Sequence, residues 1–299
     1  LGNGGLTMAN IQYTEEFAFY QQLKFYYDSN RGKIRSRYND LTKKFLAYND
    51  KNENPDAFLR LPQFEALEMY VFIKEFMDNS QVYEMFDDWR NRRDKFSDAS
   101  YYSVRKGGQI RMFDNESEIV TDTLFKQMKK YKEAYPNYIY ALTMGLGKTI
   151  LMATCIFYEF LLANKYPKDK RFCHNALVFA PDKTVLQSLR EIITFDKTKV
   201  VPPEYARVLD TNIKFHFLEE TGTTLHTIDD SDFNIVISNT QKIIVKNLNR
   251  AKYYSVPAHC SHPSMVMKTV ILMMLGMMHH SWTISVSRSS ADYHNLVCT

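Results

Sequence analysis

The chain has 299 residues, 45% hydrophobic and 24% charged, and carries a net charge of +4 from 38 Lys and Arg against 34 Asp and Glu. Those fractions exclude wholesale disorder and a coiled-coil rod, and the length allows one large domain or two smaller ones with a real core. The mild positive charge is compatible with nucleic acid without arguing for it. Four Cys with no CxxC pair argue against a disulfide framework or a zinc site and fit a reducing cytoplasm.

Residues 11–48 are aromatic and charged, and Phe17, Tyr20, Leu23 and Tyr27 recur at helical spacing. KNENP (51–55) reads as a loop. In FLRLPQFEALEMYVFIKEFM, Pro62 suits the first turn of a helix, and Phe64, Leu67, Met69, Val71 and Phe72 give it a broad apolar face. VYEMFDDWRNRRDKF (82–96) continues as a charged helix, with the basic cluster RNRRDKF read as a solvated face. Residues 97–117, with Gly107 and Gly108, read as a loop or weak hairpin, and 118–134 as a helix. After Pro136 the texture changes. NYIYAL (137–142), NALVFA (175–180), IKFHF (213–217) and FNIVIS (233–238) are strand candidates. They alternate with helical patterns at 150–163 and 184–193, which predicts an α/β fold with a mostly parallel sheet. No stretch reaches the run of about 18 apolar residues that a membrane span needs, and LGNGGLTMAN lacks the basic and apolar regions of a secretory leader. A cytoplasmic protein without a membrane partner is expected.

The strongest chemical signal is TMGLGKT between the strand at 137–142 and the apolar helix at 150–163. Gly145 and Gly147 let the backbone bend so that N–H groups converge on phosphate oxygens, and the helix start adds its positive dipole end. Met144 and Leu146 belong to the same cradle. Lys148 can neutralise β- and γ-phosphate charge, and the Thr149 hydroxyl can hold Mg²⁺. Leu142 stands where the strict GxxxxGK[ST] pattern has its first glycine. The scattered His174, His216 and His226 show no metal-ligand spacing, and the carboxylates Glu219, Glu220, Asp229, Asp230 and Asp232 show no paired catalytic pattern.

AxxMGLGKT resembles motif I of superfamily-two helicases and translocases, and the wider pattern resembles the helicase-type ATPase of type III restriction enzymes, the Res subunit. FLRLPQFEAL is similar to that family's upstream glutamine motif. The resemblance implies that Gln63 reads the adenine edge, as an amide that donates and accepts at once can do. ALVFAPDKTVLQSLREI resembles motif Ia, which implies phosphate-backbone contacts to DNA from Lys183 and Thr184. FNIVISNTQKI resembles the family's next strand, ending in Thr240 and Gln241. The resemblance covers about residues 58–248. It implies ATP and Mg²⁺ as cofactors, Lys148 and Thr149 as the catalytic residues present, DNA as partner, and a methyltransferase or specificity subunit in the parent system. The fold it implies is a RecA-like P-loop domain, incomplete, at 58–250, preceded by a helical extension at 8–57. Two other readings stay open: another P-loop NTPase, and a non-enzymatic fragment with a vestigial loop.

The family also needs an acidic box, whose Asp holds Mg²⁺ and whose Glu positions the attacking water. No Asp-Glu pair follows Thr149 in the sequence. A second motor domain with its arginine finger is likewise not part of the pattern. Residues 251–299 differ sharply in composition: they hold six of the fourteen Met and five of the eight His, but only four charged residues, Lys252, Lys268, Arg288 and Asp292. The expectation is an out-of-frame or disordered tail. Met and Trp have single codons, so they fix the overlapping ones. A shift by one nucleotide turns Met273-Met274 into a stop. A shift by two forces Gly at Met265-Val266, Glu at Met267-Lys268, Asp at Met273-Met274 and at Met277-Met278, Ala at Met278-His279 and Asp at Trp282-Thr283. Four of those six are acidic, unlike the tail itself. The gene's nucleotides are expected to show a continuous acidic frame beneath 265–299; stop codons in that frame end the idea.

Overall fold

The order of elements follows the apolar periodicity closely. In the computed structural model, residues 19–99, 105–106, 109–110, 125–126, 128–130, 137–142, 145–180, 189–217, 233–239, 270–275 and 281–287 are described. They fall into two compact units, each built from two segments: Leu1–Tyr38 with Val71–Glu133, and Asn39–Tyr70 with Ala134–Thr299.

The first unit is helical. Helix α1 (Phe19–Ser36) buries Phe19, Leu23, Tyr26, Tyr27 and Ile34, a spacing of three and four that puts them on one face. The stripe is rotated from the one read in the sequence. Tyr20 is 53% exposed, and its neighbour Phe19 takes its place in the core; Tyr26, also buried, donates to the Lys95 carbonyl and lies 4.9 Å from the Phe96 ring. Phe17 lies outside the described residues. Helix α4 (Val82–Arg90), which follows two helices of the second unit in chain order, has a reciprocal Gln81–Glu84 capping box and buries Met85, Phe86 and Trp89. It stops before Arg92, whose φ is +54°. The basic cluster beyond it finds its partners nearby: Arg93 pairs with Asp87 at 3.3 Å, Lys95 pairs with Asp78, and Arg92 donates to the Ala99 carbonyl. Strands β1 (Arg105–Lys106) and β2 (Gln109–Ile110) form a hairpin with Lys106 opposite Gln109; Gly107 and Gly108 lie outside the described residues.

The second unit is α/β. Helix α2 (Asp40–Asn49) is capped by Asn39, whose side chain accepts from Thr42 N. Helix α3 (Leu61–Val71) carries Pro62 in its first turn; the π-turn that follows it in the chain, Phe72–Phe76, belongs to the first unit. The predicted apolar face is buried from Phe64 to Phe72. Strand β3 (Asn137–Ala141) leads to helix α5 (Lys148–Lys165). Helix α5 buries every residue from Leu151 to Ala163; such an all-round apolar helix is the core of its unit. Phe45 of α2 packs on Tyr158 of α5 at 5.5 Å. Asn49 at the end of α2 donates to the Phe45 and Val200 carbonyls at 2.9 and 2.8 Å.

Strands β4 (Asn175–Ala180), β5 (Ile213–Phe217), β6 (Phe233–Asn239), β7 (Val270–Leu275) and β8 (Ser281–Ser287) join β3 in one sheet of order β3-β8-β7-β4-β6-β5. The pairs β4–β6, β5–β6 and β4–β7 are parallel, and β8 is antiparallel to both its neighbours. Burial matches position. Central β4 and β6 read as continuous apolar runs covered on both faces, with Ala176, Val178, Phe233, Ile235 and Ile237 fully buried, whereas edge strand β5 is half-buried to exposed. A side-chain ladder crosses three strands where β4 and β6 begin. Asn234 Nδ2 donates to Asn175 Oδ1 at 3.0 Å, and Asn234 Oδ1 lies 3.0 Å from His216 Nε2. His174 stacks on Phe233 at 5.7 Å. These two histidines have structural surroundings, and His226 lies outside the described residues. The strands at 175–180, 213–217 and 233–238 are where the sequence puts them. The tail contributes β7 and β8, two strands between β3 and β4.

Candidate phosphate-binding turn

Strand β3 ends at Ala141, and the chain then bends through Gly145 and Gly147 into α5. Both glycines have positive φ, +75° and +67°. Such angles cost an L-residue about 1–2 kcal/mol, so the bend favours glycine at both positions. Gly147 caps α5, and its carbonyl accepts from Ile150 N at 3.1 Å and Leu151 N at 3.2 Å. The amides at the very start of α5 have no intrahelical acceptor and sit at the positive end of an 18-residue helix. Lys148 and Thr149 occupy its first turn, both half-buried. The bend follows the carboxyl end of β3, an edge strand paired antiparallel with β8.

The segment around Gln63 reaches the same place. Gln63, only 3% exposed, donates from Nε2 to the Gly147 carbonyl at 3.0 Å. Its Oε1 accepts from Arg60 N at 2.9 Å, the return half of a capping box at the start of α3. Arg60 adds a second tether, from Nη1 to the Gly145 carbonyl at 2.9 Å. Two segments far apart in sequence are thus joined by two hydrogen bonds, at separations of 84 and 85 residues. The approach is close: a Cβ on Gly147 would lie 2.9 Å from Gln63 Nε2 and 3.3 Å from Ile150 Cδ1.

The structure therefore brings together Gln63, Gly145, Leu146, Gly147, Lys148 and Thr149. Met144, Lys183 and Thr184 lie outside the described residues, as do Thr240, Gln241 and the acidic run Glu219 to Asp232. Arg60 belongs to the site and is not among the residues that sequence reasoning singles out. The signal that could have found it is its place three residues before Gln63 at a helix start, which turns both side chains toward one neighbour.

Behind the turn, α5 carries a buried carboxylate. Glu159 is fully buried and accepts from Tyr70 Oη at 2.6 Å and from Cys173 N at 3.1 Å. It ties α3, α5 and the segment leading into β4. Burial, and next the Glu159 charge, push the Tyr70 phenol and the Cys155 thiol well above their ordinary values.

Among the described residues, no helix is long and apolar enough to cross a membrane, and no group of three or more His, Cys, Asp or Glu is placed to hold a metal ion. Thr149 offers one hard oxygen beside the turn, which is the donor chemistry of a protein that shares Mg²⁺ with a bound triphosphate. Compared with family models, curated proteins and solved structures, the chain finds no match.

Proposed function

We propose that the glycine turn binds Mg-ATP, and that residues about 58–250 are most of the first RecA-like motor domain of a superfamily-two, type III restriction-like ATPase. One observation carries the reading: Gln63, the residue assigned to the adenine edge, is hydrogen-bonded to Gly147 at the head of the phosphate-binding helix. An adenine reader and a phosphate cradle serve one nucleotide only if they are neighbours, and nothing in the local sequence of either segment forces that.

In this reading the amides of the turn and of the α5 start receive phosphate oxygens. The Lys148 ammonium neutralises β- and γ-phosphate charge, and Thr149 Oγ1 takes a place in the Mg²⁺ shell. Magnesium supplies further charge neutralisation on the triphosphate. Gln63 keeps one N–H and one carbonyl lone pair beyond the bonds described above, enough for a donor-and-acceptor contact with a base edge. In the parent protein, ATP hydrolysis drives movement along DNA, with Lys183 and Thr184 on the DNA backbone. A methyltransferase or specificity subunit completes that system. The 299 residues hold no Asp-Glu pair after Thr149, so the proposal for this chain is weak nucleotide binding without helicase turnover.

Calorimetric titration of Mg-ATP into wild type and Lys148→Ala tests it. Loss of the ammonium is expected to weaken binding by about 10- to 100-fold, the range for a charge-assisted contact. Equal affinities would favour a vestigial loop, and DNA-stimulated hydrolysis by the wild-type chain would contradict binding without turnover.

A further inference from the structure

We propose that Arg60 is a positioning residue for the phosphate turn: its hydrogen bond to the Gly145 carbonyl, paired with that of Gln63 to Gly147, aims two backbone amides of the turn at the anion. The inference rests on the triphosphate reading and deepens it, because it names what sets the cradle's shape. In a trans peptide the C=O of one residue and the N–H of the next point in opposite directions. The Gly145 carbonyl is held by Arg60 Nη1 at 2.9 Å, so the Leu146 N–H of the same peptide plane faces away from the start of α3. The Gly147 carbonyl is held by Gln63 Nε2 at 3.0 Å, so the Lys148 N–H also faces away from it. Two tethers from one helix start thus turn two amides outward from that helix.

Such a tether matters most at glycine. Gly145 has φ +75°, and no atom of the described residues lies within 4 Å of the place its Cβ would occupy. Gly145 has no side chain to lock this peptide, and glycine reaches the alternative conformations at little cost. Gly147 is different: it is wedged against Gln63 and Ile150 and begins a helix. Arg60 therefore supplies at Gly145 the restraint that packing supplies at Gly147. The guanidinium donates through a planar fork with its charge on the side of the turn away from the amides, so its action runs through the backbone rather than through direct contact with phosphate.

The test compares wild type, Arg60→Met and Arg60→Lys for three readouts: Mg-ATP and Mg-GTP affinity, thermal stability, and the amide resonances of Leu146 and Lys148 in the ligand-free protein. Arg60→Met keeps the aliphatic stem. It is expected to weaken Mg-ATP and Mg-GTP by the same factor, about tenfold, as for one lost charge-assisted hydrogen bond, leaving their ratio unchanged because the base edge is untouched. The Leu146 amide is expected to shift and broaden while Lys148 holds, and the melting temperature to stay near that of wild type. Arg60→Lys, which restores a donor, is expected to recover part of the affinity and of the Leu146 signal. Wild-type affinity in Arg60→Met overturns the proposal and leaves the nucleotide reading intact. A changed ATP-to-GTP ratio also overturns it, by making Arg60 a base contact. A wild-type chain with no affinity for either nucleotide overturns the functional reading, and this proposal with it.

Discussion

Gly147→Ala is expected to lower both stability and Mg-ATP affinity more than Gly145→Ala does. The two positions share a left-handed backbone, φ +67° and +75°, so each alanine carries a conformational cost of about 1–2 kcal/mol. They differ in surroundings. At Gly145 the new methyl meets nothing within 4 Å among the described residues, whereas at Gly147 it meets Gln63 Nε2 at 2.9 Å and Ile150 Cδ1 at 3.3 Å. Gln63 is buried and bonded at both ends of its amide, so it yields only by breaking the tether to Gly147 or the cap of α3. Each kcal/mol moves the melting temperature of a unit of this size by about 2–4 °C. Gly145→Ala is therefore expected to lose about 2–8 °C, and Gly147→Ala about twice that, with Mg-ATP binding weakened at least about tenfold by the added displacement. Thermal unfolding and calorimetry on the two variants check this. Equal losses would show that the close approach of Gln63 carries no energetic weight.

The legible parts of this chain are those where one local rule suffices. The four strand candidates between 137 and 238 are short apolar runs bounded by turn residues, and each forms a strand in the unit that holds α5. The glycine-Lys-Thr bend is equally local, because positive φ and a helix start are properties of five consecutive residues. Arg60 is not legible in this way, because its role lies in a hydrogen bond to a carbonyl 85 residues away, and no pattern within its own helix announces the acceptor. The α1 stripe differs from its sequence reading for a related reason. Phe19 and Tyr20 are adjacent, and both stand at helical spacing from Leu23. Only the partners decide between them: Phe19 meets Phe86 and Trp89 at 5.1 and 5.7 Å, leaving Tyr20 to solvent. The tail carries two apolar patterns as well as its unusual charge and codon content. VILMML is a short continuous apolar run, and SWTISVS alternates with Trp282, Ile284 and Val286 on one side. Short apolar runs and apolar alternation are strand patterns, and these two segments form β7 and β8.

Tyr70→Phe is expected to be the most damaging conservative change in the core of the sheet-bearing unit. It removes one hydroxyl, but that hydroxyl donates to a fully buried carboxylate. A charged acceptor deprived of a donor inside the protein costs more than the mean hydrogen bond, about 3 kcal/mol, or roughly 6–12 °C in melting temperature. Glu159→Gln is expected to cost less, since its amide oxygen still accepts from Tyr70 or from Cys173 N. The double variant Tyr70→Phe with Glu159→Leu is expected to regain part of the loss by removing the buried charge itself. The same residue sets an alkaline limit. Burial raises the folded-state values of the phenol and of the Cys155 thiol above their ordinary 10.0 and 9.0. Their contribution is intact below about pH 9 and is lost as the pH climbs through those ordinary values toward the shifted ones, because the unfolded chain releases protons first. Urea midpoints are therefore expected to fall between about pH 9 and 11, and less steeply in Tyr70→Phe; parallel curves would remove Tyr70 from the account. The tie also bears on the turn. Tyr70 lies about two and a half turns along α3 from its start, and Glu159 lies on the helix that begins with Lys148. The pair fixes the helix bearing Gln63, with Arg60 at its start, against the helix that begins with Lys148. Weaker Mg-ATP binding by Tyr70→Phe at temperatures far below its unfolding would show that this fixing reaches the site, and undiminished binding would confine it to stability.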